Sequence, residues 1–272
     1  MAAVPRPIVF LSDFGLSSEW VGTCHAVMSR IAPQSRIVDL SHHVPALDIV
    51  SGALLLLDSL PFIAKDAVVL AVVDPKVGKD RDIAVEANNG RLLVGPDNGL
   101  LMPALDSIGG IRHVVEITSS DVIVQPVSPS FLARDILCPA TAHLAAGTPI
   151  ERLGGELDPS TLTSLTVPEP ETEPGKIRCQ VLEFNRFGNV RLNVRRAHLE
   201  AAGLWESDEL AVEGVSSAVH VRTGKTYSDF GPGEYGVLID PRGWLTVARN
   251  SASALEGLAV NIGDQVWVTG VS

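Results

Sequence analysis

The sequence predicts an α/β domain with a mainly parallel sheet, followed by a C-terminal all-β domain of the barrel type. Three observations carry this. Ala67 to Val73 is continuously apolar, as befits a central parallel strand covered on both faces. Strand-like runs alternate with helical apolar periodicity through the first half of the chain. Past a stretch rich in proline and charge, the pattern changes to short alternating runs punctuated by Gly and Pro. The expected boundaries are an α/β domain over 1–157, an extended linker over 158–175 and a β domain over 176–272.

Taken in order, Ile8 to Leu11 reads as a strand ending in Ser12-Asp13-Phe14-Gly15. A helix follows, with Trp20, Val21, Cys24, Val27, Met28 and Ile31 on one face. Ile37 to Leu40 is a strand, and Asp48 caps a helix from Ile49 to Leu60. After the strand Ala67 to Val73, the runs Ile83 to Ala87 and Arg91 to Val94 flank Asn88-Asn89-Gly90, a hairpin signal. Helices are expected near Leu100 to Ile108 and Ala133 to Ala146. The segment Val167-Pro168-Glu169-Pro170-Glu171-Thr172-Glu173-Pro174-Gly175 suits a linker, not a core. Seven alternating runs between Lys176 and Val268 then suit a small barrel or sandwich.

Composition excludes several classes. At 272 residues, 46% apolar and with net charge −11, the chain resembles an ordinary globular enzyme and is unsuited to neutralising a run of phosphates. No apolar stretch spans a bilayer, and the N-terminus lacks the pattern of a signal peptide, so a cytoplasmic protein without nucleic-acid or membrane partners is expected. Cys24, Cys138 and Cys179 are odd in number and widely spaced, which favours reduced thiols. The histidines show no HExxH pattern, and His42-His43 on a strand would point to opposite faces; no metal is expected.

In an open α/β sheet, ligands bind beyond the carboxyl ends of the strands. Asp13, Asp74 and Asp97 all fall at such ends. A carboxylate there can accept ribose hydroxyls or orient a water, although Asp also favours turns and caps for local reasons. No phosphate loop or GxGxxG is present, so a ligand carrying adenosine without phosphate is favoured over ATP or NAD.

These residues bring the chain close to a known family. Ser12-Asp13-Phe14-Gly15, Ile37-Val38-Asp39-Leu40-Ser41-His42, Val73-Asp74-Pro75, Pro96-Asp97-Asn98-Gly99-Leu100-Leu101 and Ala142-His143-Leu144-Ala145-Ala146-Gly147 occur in order. Arg186-Phe187-Gly188-Asn189, Arg242-Gly243-Trp244-Leu245 and Ala248-Arg249-Asn250 continue the series. Together they resemble the S-adenosylmethionine hydroxide adenosyltransferases, adenosine-forming hydrolases related to the bacterial fluorinase and chlorinase.

The resemblance implies an α/β domain, a C-terminal β-barrel, and a homotrimer with pockets between subunits. The adenosyl compound is the substrate, and no cofactor is implied. By motif, Asp74 and Arg81 match two members of an Asp–Arg–His catalytic set. Halogenases lack that Asp, so Asp74 favours water over halide. Asp13, with Phe14 beside it, matches the residue holding the ribose hydroxyls, and Asp97 and Asn98 match a pocket loop. Asn189 and Asn250 match residues around the adenine, with Ser251 beside them. Phe187 is a pocket candidate, whereas Trp244 is expected in the barrel core. Asn185 and Arg242 complete the expected binding set.

Several positions depart from the hydrolase pattern. The catalytic histidine is Leu132, the glycine after Asp-Pro is Lys76, and the carboxylate expected to hold the amino acid's ammonium is Asn185. Ser18 stands for an Asp and Pro241 for a serine. Two other functions therefore stay open. One is a non-catalytic adenosine or S-adenosylmethionine binding protein; the other is a transferase using an anion near Lys76.

Overall fold

In the computed structural model, residues 5–74, 80–214 and 217–271 are described. Residues 75–79, Lys76 among them, lie outside the described residues. The chain divides into two units, Met1–Thr166 and Val167–Ser272.

The first unit is built on a six-stranded sheet. Its strands are β1 (Ile8–Ser12), β2 (Ile37–Ser41), β3 (Val68–Val72), β4 (Asp82–Ala87), β5 (Leu92–Pro96) and β6 (Ile111–Glu116). Their order is β2-β1-β3-β5-β4-β6. The pairs β1–β2, β1–β3 and β3–β5 are parallel, while β4 runs antiparallel to β5 and β6. Alternation along β1 and β3 separates two cores, as a period of two requires. Ile8, Phe10, Val68, Leu70 and Val72 face one cluster, with Cys24 and Met28 of α1 (Trp20–Ile31) and Leu144 of α4 (Cys138–Ala145). Val9, Leu11, Val69 and Ala71 face the other, with Leu56 of α2 (Ile49–Ser59) and Leu105 of α3 (Met102–Ser107). Two covered faces explain the continuous apolar runs in the sequence. The α2 cap is present as expected: Ser51 N donates to Asp48 Oδ1 at 3.0 Å.

Two expectations need correction. Trp20 shares the apolar stripe of α1, but its side chain is exposed and only Val21, Cys24 and Met28 of that helix are buried. The helix expected over Ala133 to Ala146 begins as a π turn, Ala133–Leu137, before α4. Pro139 is the cause: it has no N–H to donate to the Asp135 carbonyl, which accepts from Val124 N at 2.7 Å instead.

In the second unit, β8 (Lys176–Phe184), β9 (Val190–Arg195), β10 (Glu209–Glu213), β11 (Ala218–Thr223), β12 (Tyr235–Ile239), β13 (Trp244–Arg249) and β14 (Gln265–Gly270) form a closed barrel. The ring runs β14-β10-β11-β12-β13-β9-β8 and closes through the β14–β8 pairing. A short strand β7 (Glu171–Glu173) hangs on β8, and helices α5 (Arg196–Ala201) and α6 (Ala254–Leu258) flank the ring. Residues 158–175 divide between the units. Leu162 and Leu165 pack on the core of the first, and β7 belongs to the second.

Candidate functional site

The loops at the carboxyl ends of β1 and β3 open onto one cavity of the first unit, of about 560 Å³. Its wall includes Asp13, Phe14, Trp20, Leu47, Asp74 and Leu132. A volume of this size suits a small organic ligand. Asp13 is held from one side, because Leu47 N donates to its Oδ2 at 2.9 Å. Leu47 takes a left-handed backbone, φ 65°, to make that approach. Phe14 meets Trp20 and Phe131 edge to face, at 5.9 and 6.1 Å between centroids, and Trp20 and Phe131 lie tilted by 52° at 6.0 Å. Trp20 is thus better described as cavity wall than as core.

The loop carrying Phe131 and Leu132 is anchored from below. Asp135 accepts from Arg134 Nε at 2.6 Å and Nη2 at 2.7 Å, and from Ser128 N at 2.8 Å. The Arg134 hydrogen bond holds the buried Asp135 carboxyl below its usual range, against the opposing effect of burial. Leu132, two residues before Arg134, lines the cavity.

Asp82 was missed by sequence reasoning. It begins β4, lines the same cavity as Asp74, and carries a carboxyl pushed up to about 7. Burial is the largest cause, followed by the charges of Asp74, Glu116 and Asp80. Arg81, its neighbour, turns elsewhere. Arg81 Nε donates to Asp97 Oδ2 at 3.0 Å, and Arg81 Nη2 to the Thr161 carbonyl at 2.9 Å. Asp97 Oδ1 in turn accepts from Thr163 N at 2.8 Å. Asn98 is buried and braces the β3 end, with Nδ2 donating to the Val73 carbonyl at 2.8 Å. Asp13, Phe14 and Asp74 thus share a cavity, while Arg81, Asp97 and Asn98 form a buttress of paired groups.

The expected barrel residues gather in the second unit. Asn185, Phe187, Asn189, Asn250 and Ser251 line a cavity of about 570 Å³ together with Tyr227. The turn that shapes it is built by Asn185, whose Oδ1 accepts from Phe187 N at 2.9 Å and Asn189 N at 3.1 Å. Gly188 is required there: its φ is +76°, and a Cβ would overlap Ser253 Oγ. Phe187 is 64% exposed, so it is available to a ligand and not part of the barrel core. Trp244 is buried, as expected, under the Arg195 guanidinium at 3.5 Å. Arg242 lines a smaller neighbouring cavity of about 180 Å³ that also touches Asn185, Asn189 and Tyr227. Its Nη2 donates to Glu183 Oε1 at 3.2 Å. Tyr227 carried no sequence signal, since its proximity to Asn189 arises only where β12, β13 and β9 pair side by side.

Among the described residues, His25, Asp39 and His42 are the one group whose ligand atoms converge closely enough to hold an ion. The convergence has a simpler origin. Asp39 Oδ1 lies 2.8 Å from His25 Nε2 and 3.0 Å from His42 Nε2, which are hydrogen-bonding distances. Burial raises the Asp39 carboxyl, but its hydrogen bonds with His42 and His25 outweigh that and hold it low.

Known proteins agree with this architecture. Residues 8–154 match the SAM hydroxide adenosyltransferase N-terminal domain, and residues 179–267 match its C-terminal domain. The chain is 41% identical over 267 residues to a (R)-S-adenosyl-L-methionine hydrolase of Salinispora tropica, covering 97% of this chain and 98% of the relative. It is 28% identical over 293 residues to a fluorinase of Actinopolyspora mzabensis, covering 94% and 97%. A crystal structure of an uncharacterized conserved protein from Thermotoga maritima superposes with TM-score 0.89 at 30% identity, covering 96% of this chain and 99% of that one.

Proposed function

Because the chain belongs to the SAM hydroxide adenosyltransferase family, we propose that it hydrolyses S-adenosyl-L-methionine to adenosine and L-methionine by attack of water on C5′. The observation that carries this is the placement of Asp13 and Asp74 in one aromatic-walled cavity. The relatives' names further suggest the (R) epimer at sulfur.

The chemistry asks little of the protein. A sulfonium is a good leaving group, so the site must orient a water, direct its proton and exclude bulk solvent. Asp13 receives the ribose hydroxyls and Asp74 faces the attacking water. Phe14, Trp20, Phe131 and Leu132 dry the wall, and aromatic faces favour a cation in transit. Arg81, matched by motif to the family's catalytic arginine, is directed at Asp97, and we assign it the positioning of the Asp97–Asn98 loop. Asn189, Asn250, Ser251 and Phe187 take the adenine, and Asn185 and Arg242 the amino-acid end. We propose a cytoplasmic protein that forms the homotrimer the resemblance implies, in which such barrel residues complete a neighbour's site. No cofactor is needed.

Leu132 favours a second reading, a binding protein that retains the ligand without turnover. Incubation with each sulfur epimer, with and without halide, separates the two. Adenosine formed without halide supports hydrolysis. Bound and unchanged substrate supports the binding protein, and 5′-halo-adenosine would contradict both.

A further inference from the structure

Asp82 occupies an unusual position. In the sheet order, β4 is separated from β3 by β5, so Asp82 and Asp74 are not strand neighbours. Even so, both carboxylates line the cavity that Leu132 enters. Among the described residues, none donates a hydrogen bond to the Asp82 side chain.

The charged groups around Asp82 are mostly acidic. They are Asp74 past β3, Glu116 at the end of β6, Asp80 before β4, and Asp13 across the cavity. The adjacent cation, Arg81, is committed to Asp97. A partly buried carboxylate among like charges holds a proton more readily than an isolated one. When two carboxylates share a site, their environments separate their roles.

We infer that Asp82 is a catalytic residue, the acceptor of the proton that the attacking water gives up, in place of the side chain Leu132 cannot supply. This rests on the hydrolase reading above. In the step, the water oxygen forms a bond to C5′ while the C5′–S bond breaks, its electron pair staying on sulfur as the thioether of methionine. One water O–H bond breaks, its proton passes to the Asp82 carboxylate and is later released to solvent. Asp74 remains the group that orients the water.

The test is single-turnover release of adenosine from about pH 5 to about pH 9 by wild type, Asp82→Asn and Asp82→Glu. Adenosine affinity of each serves as the check on folding. The wild-type rate should rise with pH and level off near the raised value of the Asp82 carboxyl. Asp82→Asn should bind adenosine normally, release product ~10²-fold or more slowly, and lose the rising limb. Asp82→Glu should keep a limb, displaced along the pH axis. If wild type turns over while Asp82→Asn keeps both rate and limb, or Asp82→Glu leaves the limb unmoved, this inference falls alone. If wild type releases no adenosine at any pH, it falls together with the hydrolase reading.

Discussion

Arg81 and Asp97 form a two-point pair in which Nε and Nη2 of one guanidinium both reach Oδ2 of one carboxylate, at 3.0 and 2.5 Å. The Asp97 side chain is 4% exposed and that of Arg81 33%, so the pair is buried from one end only. Removing the cation strands a buried charge, which costs more than the pair contributes. Arg81→Ala should lower stability by about 2 kcal/mol, discounted for the exposed end, and should slow adenosine release through the displaced loop. Adding Asp97→Asn should restore part of the stability but not the rate. Denaturant titration of both variants checks this; equal stability of wild type and Arg81→Ala would contradict it.

Asp13 accepts from the Leu47 N–H and, in the proposed reading, from the ribose hydroxyls as well. Charge-assisted hydrogen bonds contribute ~1.5–3 kcal/mol each. Asp13→Ala should weaken adenosine binding at least ~10-fold, and it should also loosen the Leu47 turn whose N–H it accepts. Calorimetry on a folded variant with unchanged affinity would remove Asp13 from the site.

The Asp82 carboxyl also makes a stability prediction. Its value rises from 3.8 to about 7 on folding, so between those values the folded chain keeps a proton that the unfolded chain loses. Stability contributed by that proton is present below about pH 4, declines as pH rises to about 7, and stays lost above. Asp82→Asn should therefore be more stable than wild type at about pH 8, by at most about 4 kcal/mol, with the difference vanishing below about pH 4. Thermal melts that place Asp82→Asn at or below wild type at the higher pH would contradict this.

Leu132, which the resemblance sets at a catalytic histidine, lines the cavity with Asp74 and Asp82. A positioned acid–base group contributes ~10²–10⁴-fold to rate. With Asp82 as its proton acceptor, wild type should turn over, and Leu132→His, which adds a second acid–base group, should turn over faster in single turnover at saturating substrate. A histidine variant equal to or slower than wild type would mean that the existing carboxylates need no such partner.

Much of this was legible because it is local. The Asp48 cap, the apolar run ending at Asp74 and the hairpin at Asn88-Asn89-Gly90 each depend on neighbours a few residues away. The strands of the barrel were legible from alternation alone. What was hidden depends on sheet order and closure. Asp82 reads as one of several charges in Asp80-Arg81-Asp82 until β4 folds against β5. Arg81 reads as a solvated charge until Asp97, sixteen residues on, arrives beside it. Trp20 matches a helical stripe, yet it sits in the first turn of α1, where the stripe leaves the core. The His25–Asp39–His42 cluster joins a helix to a parallel strand, a contact that periodicity cannot report.

The central claim is that water attacks C5′ of an adenosyl sulfonium, and isotope labelling tests it most directly. Turnover of (R)-S-adenosyl-L-methionine in oxygen-18 water should place one heavy oxygen in the adenosine formed, at the 5′ position, with none in the methionine. Adenosine that carries no label, or no product beyond unchanged substrate after prolonged incubation, would contradict the account.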